Sequence, residues 1–394
     1  MGYPTNARTL EALGVYPYFI PIQSSDGSEI RIKNKNYLMI GSNNYLGLTH
    51  HPKVKEAAVK ALQEHGTGCT GSRLLNGTLE LHLELENKLA RWVGKEKALV
   101  FSTGYQANLG TITTIVDRGS SVLADKECHA SIIDAVFLAK AMKNIKFRTF
   151  KHNNADDLDR VLSGPTDAEN RIVIVDGVYS MGGDIADLKK IIPVCRQHGA
   201  AIMVDDAHGI GVLGGGKGTV SQFGCTDDVD LIMGTFSKAF ASNGGFISGS
   251  KEVIHWIEHF SRPFIFSASL SPASVATVSA ALDLVREEPE RVQKVLDIAG
   301  RMRGELSDMG FDVGRSETPI IPIIIGDQFK TLEAWRILYR EGIFTNVALP
   351  PAVPAKASLL RTSYTASHSQ KQLDAVLKAF GLLKIRLERF RTVS

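Results

Sequence analysis

The sequence predicts an α/β protein built on a mostly parallel sheet and closed by a small C-terminal α+β unit. Three observations carry that expectation. Short apolar runs recur along the first three quarters of the chain, and each ends in small or polar residues. Amphipathic helical stretches such as "IADLKKIIPVCRQHG" lie between the runs. Strands that alternate with helices form βαβ units, whose sheet is covered on both faces. After about Pro289 the alternation gives way to a different texture.

In chain order, residues 1–45 read as an N-terminal arm and short hairpin leading to "GSNNYLGL". A large domain follows over 46–288. Its strands are expected in "KALVFSTG", "SVLADKECH", "RIVIVDGVYSMGGD", "AAIMVDDAHGIG", "VDLIMGTFSK" and "GGFISGS". The small domain, 289–394, opens with the helix "ERVQKVLDIAGRMRGELSDMG" and the strand "TPIIPIIIG". The helix "TLEAWRILYREG", the Pro-rich "LPPAVPA", the strand "SLLRTSYTA" and the closing helix "QKQLDAVLKAFGLLKIRLERF" complete it. No repeat or low-complexity tract interrupts this order.

Composition narrows the function classes. With 394 residues, 44% apolar and 22% charged, the chain can bury a sizeable core. A net charge of +3 with scattered Lys and Arg argues against nucleic acid as the main partner. Cys69, Cys128, Cys195 and Cys225 show neither CxxC pairing nor a His/Cys cluster at metal spacing, so reduced thiols and no metal are expected. The opening "MGYPTNARTLEALGVYPYF" lacks the apolar core of a signal peptide, and no apolar run reaches membrane-spanning length. The expectation is a cytoplasmic protein, with peripheral contact at a membrane surface left open.

In open parallel sheets, ligands sit beyond the carboxyl ends of the strands, so the residues ending each run are the candidates. "VFSTGYQAN" offers Ser102, Thr103 and Gly104 before a helical run, a cradle for phosphate at a helix N-terminus. "DKECH" ends in His129, and "AAIMVDDAH" ends in Asp205, Asp206 and His208. An acid after a buried central strand implies a cationic partner, because an uncompensated buried charge is costly. "GTFSKAFASNGG" places Lys238 between a Thr/Ser pair and a glycine-rich turn. An isolated turn lysine is ordinarily just solvated. Together, however, a phosphate cradle, a strand-end carboxylate, a ring-stacking side chain and a lysine match what pyridoxal 5'-phosphate requires. A nucleotide site would require a Walker A loop or G-x-G-x-x-G in context, and neither is present.

Along nearly its whole length the chain resembles the α-oxoamine synthases, fold-type I pyridoxal-phosphate enzymes that condense an amino acid with an acyl thioester and release carbon dioxide. The resemblance runs through "GSNNYLGL", "TGCTGSRLLNGTLELHLELE", "FSTGYQANLG", "CHASIIDAV", "DGVYSMGGDIADL", "MVDDAHGIGVLG", "GTFSKAF", "SRPFIFSASLSPA" and "LLRTSYTASHS". It implies that Lys238 forms the Schiff base with the cofactor, and that Thr235, Ser237, Gly104 and Tyr105 hold its phosphate. By the same matching, His129 stacks on the ring, Asp205 pairs with the ring nitrogen, and His208 lies near the phenolic oxygen with Ser180 close by. Ser267 and Ala268 match a segment reaching the phosphate from a partner subunit, which implies a homodimer with shared sites. Arg361 matches the arginine that holds the substrate carboxylate. Asn43 and Asn44 both occupy the place of a substrate-side asparagine, with Asn44 preferred. Within the family the segments look most like members using L-serine and a long-chain acyl-CoA. "AFASNGG", where glycine-using members are richer in glycine, also favours another amino acid. A member using a different amino acid or a carrier-protein thioester remains the alternative. A catalytically silent subunit is disfavoured by the presence of Lys238, Asp205, His129 and Arg361 together.

Overall fold

Complete burial of successive residues is the signature of a strand covered on both faces. Ser121–Asp125, Leu231–Thr235 and Gly245–Gly249 show it at every position. The structure, a computed structural model, describes residues 7–165, 168 and 170–391, so the first six residues of the expected arm lie outside the described residues. Strands β1 (Ser24–Ser25), β2 (Glu29–Ile32) and β3 (Lys35–Met39) come first. Then follow β4 (Lys97–Phe101), β5 (Ser121–Asp125), β6 (Lys146–Phe150), β7 (Arg171–Asp176), β8 (Ala201–Asp205), β9 (Leu231–Thr235) and β10 (Gly245–Gly249). Strands β11 (Ile320–Gly326), β12 (Ile343–Phe344), β13 (Asn346–Ala348) and β14 (Ser358–Ser363) close the series.

The chain forms two units. One comprises His51–Tyr179 and Ile185–Val292. Its seven-stranded sheet runs β4-β10-β9-β8-β7-β5-β6, parallel throughout except that β10 is antiparallel to both β4 and β9. Every expected strand of the large domain is present. β6 is an addition. Its sequence "KFRTF" carries two cations and is only partly buried, because an edge strand lacks a neighbour on one side and gives no continuous apolar run.

Two helices of this unit position the site. Helix α1 (Gly104–Ile115) starts where β4 runs out, and the Thr103 hydroxyl caps it by accepting from the Gln106 N–H. Helix α2 (Ala130–Lys143) starts after β5 with His129 as its cap, the ring Nδ1 accepting from the Ser131 N–H. It ends at Asn144 in the left-handed region (φ 52°), with Lys140 and Lys143 favourably placed in its last turn. Ala107 and Ile112 of α1, Ile132 and Val136 of α2, and Met203 and Met233 of the sheet share one core.

The other unit gathers residues 1–50, Ser180–Asp184 and Gln293–Ser394. The N-terminal hairpin β2–β3 is extended by β12, which pairs with β3 in parallel. A second sheet, β11-β14-β13, is antiparallel, with Arg361 near the middle of β14 opposite Pro322 and Asn346. Ile321, Ile323, Trp335, Leu360 and Phe380 lie in its core. Among the described residues no helix is long and apolar enough to cross a membrane.

Candidate active site

At the carboxyl ends of β7, β8 and β9 stand Asp176, Asp205 and Thr235, the first two directly paired in register. Asp205 is 4% exposed. Its Oδ2 accepts from the Asn108 amide at 2.6 Å, and its Oδ1 from the Ala207 N–H at 3.1 Å. Both donors are neutral. Burial, aided by the charge of Asp205, lifts the Asp176 carboxyl well above the usual carboxylate range. His129 sits at the rim, with its backbone N–H donating to Asp176 Oδ1. Desolvation lowers its imidazole pKa, Asp205 opposes that shift, and the Lys238 ammonium adds to it. Lys238, half-buried three residues beyond β9, is therefore electrostatically coupled to this cluster.

The first turn of α1 provides the cradle. A Cβ on Gly104 would lie 2.8 Å from Thr235 Oγ1, so the lack of a side chain lets the helix start pack directly against that hydroxyl. Thr235 Oγ1 and Ser237 Oγ are 3.0 Å apart. Backbone N–H groups at a helix N-terminus facing two hydroxyls suit a phosphate group. These residues and Asp205 fit a phosphorylated cationic ring.

The remaining expected residues fall as follows. Tyr105 is 45% exposed and its hydroxyl donates to Asp134 at 2.7 Å, a bond that also raises the phenol pKa. His208 is buried in the turn after β8. Within the same chain, Ser267 Oγ accepts from Gln106 Nε2 at 2.9 Å, and the Ala268 carbonyl accepts from the Ser102 hydroxyl at 2.5 Å. Asp206 turns away to Thr219, accepting from its N–H and its hydroxyl at 2.6 Å each, and burial pushes its carboxyl up to about 7.

A second group belongs to the other unit. Arg361 is 5% exposed; its Nε donates to the Ser180 carbonyl at 2.6 Å and its Nη2 to Asn43 Oδ1 at 2.9 Å. The Tyr45 hydroxyl donates to the same Asn43 oxygen at 3.2 Å, and burial pushes the Tyr45 phenol up to about 12 against the opposing pull of Arg361. Among the described residues no carboxylate pairs with Arg361. A buried guanidinium held by neutral acceptors is a site for a planar anion such as a carboxylate. Asn44 directs its amide to Thr49 Oγ1 at 2.8 Å, leaving its buried Oδ1 without a hydrogen-bond partner.

Asn108, Ser131, Asp176 and Tyr45 join the expected residues only in the structure. For Asp176 the signal was present, since it ends "RIVIVD" as Asp205 ends "AIMVD". Asn108 was detectable only as a lone polar residue among the small apolar residues of "ANLG".

A family model for aminotransferase class I and II matches residues 35–380. A serine palmitoyltransferase of Bacteriovorax stolpii is 48% identical over 380 residues, covering 96% of this chain and 90% of that protein. An 8-amino-7-oxononanoate synthase of Thermoanaerobacter pseudethanolicus is 40% identical over 373 residues, covering 94% and 93%. Among solved structures, a serine palmitoyltransferase from S. paucimobilis holding PLP and myriocin superposes with a TM-score of 0.93 at 35% identity, over 97% of this chain and 96% of that one.

Proposed function

For a chain that belongs to the aminotransferase class I and II family, and within it to the α-oxoamine synthases, we propose the activity of a serine palmitoyltransferase. L-serine and palmitoyl-CoA condense to 3-ketodihydrosphingosine, CoA and carbon dioxide. The cofactor is pyridoxal 5'-phosphate. The observation that carries the reading is the Gly104, Thr235 and Ser237 cradle in the same unit as a buried Asp205 whose hydrogen bonds come from neutral donors. When bound, the cofactor supplies an electron sink for loss of the Cα proton and later of carbon dioxide.

The chain's own residues do the rest. Thr235, Ser237 and the backbone at Gly104 and Tyr105 would hold the phosphate. Asp205 would hold a proton on the ring nitrogen, His129 would lie against the ring face, and His208 and Ser180 would serve the phenolic oxygen. Lys238 would anchor the cofactor, and its amine would move the Cα proton. Arg361 meets the serine carboxylate with its guanidinium fork, and Asn44 offers its unpartnered Oδ1 to the same substrate. The working unit is a homodimer in which Ser267 and Ala268 of one subunit serve the phosphate in the other. Exposed Leu75 and Phe266, 78% and 72% accessible, favour a covered face near these segments. Mixing inactive Lys238→Ala chains with inactive chains altered at Ser267 should restore part of the activity; no recovery after demonstrated subunit exchange would argue for self-contained sites.

A second reading, synthesis of 8-amino-7-oxononanoate or another α-aminoketone, is favoured by the 40% identical synthase. One experiment separates the two readings. The cofactor-loaded protein is titrated with serine, glycine and alanine while its absorbance is followed, and thiol release is then measured with acyl-CoA thioesters of increasing length. Release that requires serine and a long acyl chain supports the first reading, and release with alanine and a pimeloyl thioester supports the second.

A further inference from the structure

Asn108 is 1% exposed and stands one turn into α1 beside the apolar Ala107. Its Oδ1 has no hydrogen-bond partner, so the partners of its amide nitrogen carry what this buried side chain does. Both amide protons are engaged: Nδ2 donates to Asp205 Oδ2 at 2.6 Å and to Ser131 Oγ at 2.9 Å. With the amide reversed, its oxygen would face the Asp205 Oδ2 acceptor, so Asp205 selects the orientation.

The chain of donors continues from there. Ser131 Oγ accepts from Asn108 and lies 2.8 Å from His129 Nδ1, within reach to donate its own proton to that nitrogen. The Ser131 backbone N–H points at the same Nδ1 from 3.3 Å. Two donors converge on Nδ1, so neutral His129 carries its proton on Nε2. The fall in the His129 pKa keeps the ring neutral, the form in which the choice of tautomer matters.

We infer that Asn108 is a positioning residue acting on two groups at once: it holds one oxygen of the Asp205 carboxyl, and through Ser131 it fixes His129 as the Nε2–H tautomer. A structural amide would need any two acceptors. This one joins the acid at the end of β8 to the cap of α2, residues separated by 76 positions in the chain and set on different elements. The Asp205 half of the inference rests on the function proposed above. The tautomer half holds for the protein without cofactor.

The test uses cofactor-free protein labelled with 15N-histidine, its imidazole resonances read by long-range proton–nitrogen spectra. His129→Asn identifies the His129 signal among the eleven histidines. The wild type should show the Nε2–H tautomer, and Ser131→Ala and Asn108→Leu should each give a mixture. In a second arm, pyridoxal phosphate is titrated into each protein. Asn108→Leu should weaken binding about tenfold or more, the scale of a lost hydrogen bond to a charged group, and Ser131→Ala should weaken it less. Circular dichroism checks that each variant is folded; if Asn108→Leu is not, Ser131→Ala carries the tautomer test. A wild-type Nδ1–H tautomer, or variants with unchanged tautomer and affinity, would overturn the inference. If the wild type fails to bind pyridoxal phosphate, the functional reading falls while the tautomer result still decides this one.

Discussion

Replacing Gly104 with alanine tests the phosphate cradle by a single methyl group. The added Cβ would lie 2.8 Å from Thr235 Oγ1 and 3.2 Å from Met233 Cε, both inside the 3.4 Å at which ordinary contact begins. Neither neighbour yields freely. Thr235 is 5% exposed, and its hydroxyl is also held by the Gly244 carbonyl at 3.0 Å, while Met233 is 2% exposed in the sheet core. Relief therefore shifts either the start of α1 or the Thr235 rotamer, and each displaces a phosphate donor. Overpacking of this kind costs about 1–3 kcal/mol of stability. Losing one hydrogen bond to a charged phosphate costs about 1.5–3 kcal/mol of binding, roughly ten- to 150-fold in affinity. The assay is equilibrium titration of cofactor-free protein with pyridoxal phosphate and, in parallel, with pyridoxal. Wild type should prefer the phosphorylated form strongly, and Gly104→Ala should lose about ten- to 150-fold of that preference while its pyridoxal affinity changes little. Undiminished discrimination in a folded Gly104→Ala protein would refute the location of the cradle.

Further predictions follow from the same geometry. Lys238→Ala should still take up pyridoxal phosphate through the cradle and Asp205 but lack the visible absorbance of a lysine-linked cofactor, and turnover should vanish; retained colour and activity would remove Lys238 from the chemistry. Arg361→Ala should raise the serine KM and lower the rate, a loss of about 1.5–3 kcal/mol, with Arg361→Lys milder and cofactor affinity unchanged in both. Wild-type serine affinity in Arg361→Ala would leave the carboxylate anchor unassigned. Burial raises the folded Asp206 pKa to about 7 from the ordinary carboxylate range, so near neutral pH the native state holds a proton there that the unfolded chain releases. Stability contributed by that proton is present below about pH 4 and is lost as pH rises through about 7. Asp206→Asn should therefore gain thermal stability relative to wild type between pH 4 and 8, by up to about 4 kcal/mol, with no gain at the acid end. A constant difference across that range would show that Asp206 is not protonated in the fold.

Residues adjacent in the chain decide where strands form and where they end. A strand buried on both faces must be a continuous apolar run, and its carboxyl end must return to polar residues, so Asp205, Thr235 and the turn containing Lys238 were legible from local order alone. Gly104 after Ser102 and Thr103 was legible for the same reason, because a helix start announces itself through its cap. β6 was hidden because an edge strand is under less pressure to be apolar. Only the tertiary structure decided the partners of distant polar side chains. Asn108 reaches Asp205 across 97 residues, Arg361 reaches Ser180 across 181 and Asn43 across 318, and β12 joins the hairpin at the other end of the chain. No periodicity encodes such pairs. A buried amide or guanidinium takes whichever acceptors the packing of the core brings within about 3 Å, and that packing is a property of the whole fold.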